Sequence, residues 1–130
     1  MKIAISATGK DLDSQIDPRF GRCQYFIFVD PETMEFEAVE NQGLTAMGGA
    51  GVQAAQLVVQ KGVNALITGN LGPNAASALS ASGIKVHLVS GGTIREVTEA
   101  FKAGKLQEAS GATVPPHFGM GGGRGMGRGR

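Results

Sequence analysis

Ala65-Leu66-Ile67-Thr68-Gly69-Asn70-Leu71-Gly72-Pro73 is the stretch whose reading decides the fold. Ala65 to Thr68 reads as a short buried strand. The glycines at 69 and 72 turn the chain, and Pro73 stands near the first position of a helix, where its missing N–H costs nothing. The Ala- and Ser-rich helix that follows stops at Gly83, and Ile84 to Val89 reads as another buried strand. Thr93-Ile94-Arg95-Glu96 fits a capping box, so a further helix runs to about Ala103, before Gly104. Upstream, Gln53, Gln56 and Gln60 form a polar stripe at helical spacing between Gly51 and Lys61. Val52, Ala55 and Val59 fall on another face, and Gly62 ends that helix. Successive β-α-β units require parallel strands and right-handed crossovers.

The first third differs. Ile3 to Ala7 is a short apolar strand. Tyr25 to Asp30 is apolar on both faces, which suits an interior position. Pro31-Glu32-Thr33 is a turn, and Met34 to Val39 alternates apolar and acidic residues, as a half-exposed edge strand in a hairpin does. The order β-β-β-α-β-α-β-α predicts a three-layer α/β sandwich. Its five-stranded mixed sheet has one antiparallel strand and helices on both faces. Ligands of such sheets usually bind beyond the carboxyl ends of the parallel strands. Those ends are Ala7-Thr8-Gly9, Thr68-Gly69-Asn70 and Ser90-Gly91-Gly92.

A fifteen-residue connection, Thr8 to Arg22, starts at the first of these ends. A connection this long inside a small domain is functional or disordered. Leu12, Ile16 and Phe20 are apolar anchors and Pro18 stiffens the path, which argues for order. The loop carries Asp11, Asp13 and Asp17, Lys10, Arg19 and Arg22, and the chain's single cysteine, Cys23, follows at once. This equipment suits a charged, metal-containing ligand. Arg19 and Arg22 would favour a Cys23 thiolate, although a lone cysteine is equally a core residue. The three aspartates read as solvated loop carboxylates, because the calcium-loop pattern is absent, with the alternative that Asp17, before Pro18, organises a turn. Ala7-Thr8-Gly9-Lys10 fails the P-loop pattern, since Asp11 follows the lysine. Met47-Gly48-Gly49-Ala50-Gly51, ahead of a helix, is a better anion cradle, and equally a flexible helix entry. His87 lies mid-strand and reads as packed. His117, in Pro115-Pro116-His117-Phe118, is a candidate metal ligand near the end of the ordered chain.

At 130 residues the chain is read as one domain, residues 1–118, with a flexible Gly/Met/Arg-rich tail at 119–130. The whole chain carries +1. With the three tail arginines set aside, the body is −2 and offers no platform for DNA. One cysteine forms no internal disulfide, and no apolar run approaches the ~20 residues of a membrane span. The N-terminus leads straight into a strand, so a reducing cytoplasm is the expected compartment. The tail resembles RNA-binding Arg/Gly segments but lacks an aromatic residue for stacking. Met120 and Met126 are soft thioether donors.

Three motifs in order carry a family resemblance: Asp17-Pro18-Arg19-Phe20-Gly21-Arg22-Cys23-Gln24-Tyr25-Phe26, Gly49-Ala50-Gly51-Val52-Gln53-Ala54-Ala55, and Ile67-Thr68-Gly69-Asn70-Leu71-Gly72-Pro73-Asn74-Ala75. The chain resembles the dinitrogenase iron–molybdenum cofactor-binding family from Met1 to about Leu106. The resemblance implies a ribonuclease-H-like fold and non-catalytic binding or carrying of an anionic metal–sulfur cluster, of the iron–molybdenum or molybdenum–copper sulfide kind. The expected partners are a preassembled cluster and a cluster donor or acceptor protein, with no membrane, and the chain is a monomer or weak homodimer. Arg19, Arg22, Thr8, Gly9, Gly48, Gly49, Gly69, Asn70 and Gly91 are the candidate binding residues, with Cys23 and His117 as candidate metal ligands. A metal-dependent nuclease on the same fold is the alternative enzyme reading. It needs carboxylates aimed at one point, and the strands Ile3–Ala7, Ala65–Thr68 and Ile84–Val89 contain none. An RNA-associated module acting through the tail is a further alternative.

Overall fold

The structure is a computed structural model, and it describes residues 1–41, 49–106 and 108–109. Gly48, His117 and the tail at 119–130 lie outside the described residues. The strands are β1 (Ile3–Ala7), β2 (Tyr25–Val29), β3 (Phe36–Glu40), β4 (Ala65–Thr68), β5 (Lys85–Leu88) and β6 (Glu108–Ala109). The helices are α1 (Ala50–Gln60), α2 (Pro73–Ala81) and α3 (Ile94–Lys102). One mixed sheet runs in the order β3-β2-β1-β4-β5-β6. β1 pairs in parallel with β4, and β4 with β5. β2 is antiparallel to both β1 and β3, which places β3 at the edge as its alternation requires.

Two details correct the sequence reading. The sheet has a sixth strand, the two-residue β6, antiparallel to β5. A two-residue strand carries no periodicity that a sequence can reveal. The edge strand also starts later than Met34, because Met34 has φ 64 and still belongs to the turn. Its amide donates to the Asp30 carbonyl at 2.7 Å, and the Asp30 side chain accepts from the Glu32 amide at 2.9 Å. The turn is thus an Asx-type structure that uses up two residues counted as strand.

The strand side chains divide between two cores. Ala4, Phe26, Phe28, Leu66 and Val86 face α1 and α2, meeting Ala54, Ala55, Val58, Ala75 and Leu79. Ile3, Ile5, Ile27, Val29 and Ile67 face the other way, toward α3 and the loop anchors Leu12 and Ile16. Burial on both faces explains why β1, β2 and β4 read as uninterrupted apolar runs. α1 buries Ala50, Ala54, Ala55 and Val58, while Val59 lies on its outer side. The inward stripe is therefore displaced from the Val52–Ala55–Val59 stripe expected, whereas the three glutamines are exposed as expected. His87 packs edge-on against Phe101, with ring centroids 5.2 Å apart. Among the described residues, no helix is long and apolar enough to cross a membrane.

Candidate anion site at two uncapped helix N-termini

The long loop folds because its backbone hydrogen bonds find partners all along its path. Its first half lies on the α3 side. The Ile94 amide donates to the Ser14 carbonyl at 2.9 Å, the Arg95 amide to the Leu12 carbonyl at 2.8 Å, and the Ile16 amide to the Gly92 carbonyl. Thr93 and Glu96 complete the capping box, with the Glu96 amide on Thr93 Oγ1 at 3.1 Å and the Thr93 amide on Glu96 Oε1 at 2.9 Å. The N-terminus of α3 therefore has its donors occupied.

The loop then crosses the carboxyl ends of β1 and β4. The Asp17 amide donates to the Ser6 carbonyl at 2.9 Å, and Ser6 Oγ donates back to the Asp17 carbonyl at 2.6 Å. Thr68 Oγ1 lies 2.8 Å from Ser6 Oγ, tying the two strands together beneath the loop. Pro18 seats on Gly69, where a Cβ would come within 2.5 Å of the Pro18 Cβ. The Asn70 amide donates to the Pro18 carbonyl at 2.7 Å. The loop ends on the opposite face as a 3₁₀ turn, Phe20–Arg22, with Phe20 buried against Phe26. Gly21 lies so close to α1 that a Cβ there would stand 2.9 Å from the Gly51 amide nitrogen.

This turn closes a hollow of about 270 Å³ between the first turns of α1 and α2. Phe20 and Gly21 form one wall. Gly49 to Val52 and Gly72 to Ala75 form the others, with Asn70 at the margin. Neither Gly49 nor Gly72 supplies a capping side chain, and neither helix has an acid in its first turn. The first amides bonded inside the helices are those of Gln53, to Gly49, and Ala76, to Gly72. The amides before them have no intrahelical acceptor. Two helix dipoles thus place their positive ends on one hollow, an arrangement that favours an anion. Among the described residues, no thiol, imidazole or carboxylate lines it.

Among the described residues, Gly49 and Asn70 are the two sequence candidates that line the hollow. Arg19 and Arg22 are exposed on the adjoining turn, next to residues that line it. Thr8 Oγ1 donates to the Gln15 carbonyl at 3.1 Å, and Gly9 packs against Ser14, so both shape the loop. Gly69 is taken up by Pro18, and Gly91 lies at the α3 end, on the other face. Gly21, Gly72 and Asn74 also line the hollow and are not among the sequence candidates. The readable signal was the lack of Ser, Thr, Asp or Asn at the two cap positions.

Burial separates the alternatives open for Cys23 and Asp17. Cys23 is fully buried, and its Sγ donates to the Phe20 carbonyl at 3.3 Å. Burial, with Asp17 adding to it, pushes the thiol up to about 12, the opposite of an activated thiolate. Asp17 is also no solvated loop carboxylate. Its side chain is 3% exposed, and it accepts from the Arg19 amide at 3.0 Å, from Nε at 3.1 Å and from Nη2 at 3.0 Å. The Arg19 guanidinium is raised by its hydrogen bonds and charge interaction with that carboxylate. Much of its charge is thereby compensated within the loop. Asp13 pairs instead with Arg95 at the surface, at 3.1 Å. Among the described residues, no three His, Cys, Asp or Glu side chains come together as a metal site.

Fold and hollow together define a small mixed α/β domain with two helix N-termini converging on one hollow. The chain belongs to the dinitrogenase iron–molybdenum cofactor family, whose model matches residues 1–104. It is similar to the apo form of the orange protein of Desulfovibrio gigas, at 42% identity and a TM-score of 0.83 over 86% of this chain and 95% of that one. A Thermotoga protein provisionally designated NifB, of the DUF35 family, is 43% identical with a TM-score of 0.72, covering 82% of this chain and 91% of its own. An uncharacterised protein of Methanocaldococcus jannaschii is 36% identical over 111 residues, 83% of this chain and 91% of that protein.

Proposed function

We propose that this protein binds and carries a preassembled anionic metal–sulfur cluster without turning it over, and that the hollow between α1 and α2 is where the cluster sits. The observation that carries the reading is the convergence of two uncapped helix N-termini on one concave, glycine-walled surface. Family membership supports the cargo class. The lining suits an anion whose outer sulfides accept N–H donors, because backbone amides and the Asn70 and Asn74 amides are what it offers. Arg22, together with the partly compensated Arg19, adds positive potential beside the opening. Iron–molybdenum and molybdenum–copper sulfides both fit this description. We read the fold as a ribonuclease-H-like three-layer sandwich. The nuclease alternative has no carboxylate cluster among the described residues to support it.

Gly72 provides the test. Its backbone is extended, with φ −77, and a Cβ there meets nothing within 4 Å. Gly72→Asp therefore adds a good helix cap and places a negative charge at the hollow. Under anaerobic titration with a molybdenum–copper sulfide cluster, followed by visible absorbance, this variant should bind at least about tenfold more weakly, equivalent to ~1.4 kcal/mol. Its melting temperature should be unchanged or higher. Gly72→Asn, a neutral cap, should keep most of the affinity. Equal binding by wild type and Gly72→Asp would place the cluster elsewhere.

A further inference from the structure

Negative charge is concentrated at the β3 edge of the sheet. Asp30, Glu32, Glu35, Glu37 and Glu40 stand within eleven residues that contain no Lys or Arg, and the four glutamates are exposed. Among the described residues, Glu37 alone of these five makes an ion pair, with Lys61 at 3.1 Å. β3 ends the strand order, and no described strand pairs with its outer side. Such an edge presents unpaired N–H and C=O groups to any extended chain. Beside it, between β3 and α1, lies a groove of about 310 Å³. Val39 and Leu57 give the groove an apolar part, and Glu40, Gln53, Gln56 and Gln60 bring oxygen acceptors. An apolar stem that ends in a planar cation with five donors suits this mixture, and arginine is the side chain built that way.

We infer that this acidic edge receives the chain's own arginine-rich segment, residues 124–130, laid along the open side of β3 with arginine in the groove. Three observations select that occupant. Its charge is complementary, because Arg124, Arg128 and Arg130 are its only charged side chains. Its pattern suits an edge, because Arg124-Gly125-Met126-Gly127-Arg128-Gly129-Arg130 has glycine at every second position. An extended chain of that pattern turns every side chain to one side, so the arginines reach the groove together while the backbone pairs with β3. Its tether is also long enough. β6 and β3 stand at opposite edges of the sheet, five strand spacings or ~24 Å apart. The fifteen residues from Ala109 to Arg124 span up to ~50 Å. β6 runs toward the end of the sheet at which β3 starts, since β6 is antiparallel to β5 whereas β3 runs the same way as β1, β4 and β5. Contacts between exposed ions are screened by salt, so the docking is reversible and ionic. It does not rest on cluster binding.

NMR of the ¹⁵N-labelled full chain tests the inference, with wild type set against Arg124→Ala/Arg128→Ala/Arg130→Ala. At ~10 mM salt, where charges act over ~30 Å, the two proteins should differ in the backbone amides of Phe36 to Glu40 and in the side-chain amides of Gln53, Gln56 and Gln60. At ~1 M salt that range falls to ~3 Å, and the two spectra should coincide over those residues. Glu35→Gln/Glu40→Gln removes two exposed carboxylates from the edge. In that background the arginine substitutions should shift the same amides less than about half as much, as coupled sites require. Spectra that coincide over β3 at low salt overturn the inference. So do differences centred on the first turns of α1 and α2, which would seat the segment at the hollow. Differences that grow with protein concentration also overturn it, because they would bring in the segment of a second copy.

Discussion

Asp17 and Cys23 are both buried, and both do the reverse of what exposed site residues do. Asp17 is held out of water by Arg19 and by the strand ends beneath it, so it organises the loop. Cys23 is a protonated thiol, tied into the core through the Asn41 side chain, whose Nδ2 donates to the Cys23 carbonyl at 2.9 Å and to the Gly21 carbonyl at 3.2 Å. Raising the folded-state value above the ordinary 9.0 has a definite sign. The folded chain keeps a proton that the unfolded chain releases, so the contribution is intact below about 9 and is lost progressively as pH rises toward about 12. Wild type should therefore lose unfolding free energy more steeply than Cys23→Ala across that alkaline window, as measured by urea titration at a series of pH values. Iodoacetamide at pH 8 should label Cys23 in urea and leave the native protein unmodified. Rapid native labelling would show the thiol to be open.

Among the elements, β2 has the most decisive packing. Phe26 and Phe28 point to the α1–α2 side while Ile27 and Val29 point to the α3 side. Phe28 stacks near Phe26 at 6.4 Å between centroids and lies beneath the Lys61 ammonium at 5.5 Å. Phe28→Ala should cost roughly 3–5 kcal/mol, the usual range for a buried phenylalanine, read from chemical denaturation. A loss below about 1 kcal/mol would mean that the helices do not close over that side. This strand shows how far the sequence could be read. Alternation, the proline at position 73 and the Thr93–Glu96 box each act locally, so β2, α2 and α3 were legible. The capping box has both of its hydrogen bonds. What escaped was set by tertiary contact. Asp17 gains its burial from Arg19 and Ser6, Gly69 its role from Pro18, and Gly21 its role from α1. Of these, only the Asp17–Arg19 bond follows a local rule, the two-residue Asx spacing; the other pairings have none. The hollow is half legible in the sequence: Gly49 and Asn70 stand out as candidates, while Gly72 reads only as a turn before Pro73.

At the scale of the whole molecule, the three helix N-termini divide by what satisfies them. The loop spends its carbonyls on α3, on one face of the sheet, whereas α1 and α2, on the other, have glycine caps that supply no side-chain hydrogen bond. Catalysis is not needed to explain this division, whereas a carrier for an anion needs little else. Backbone amide NMR of the ¹⁵N-labelled full chain, recorded during addition of a diamagnetic molybdenum–copper sulfide cluster, tests that claim most directly. The account predicts that the largest shifts fall on Gly51, Val52, Asn74 and Ala75, while Ile94 and Arg95, whose amides already donate to the loop, stay where they are. Shifts centred on Gly91 to Arg95, with the first turns of α1 and α2 unmoved, would contradict it.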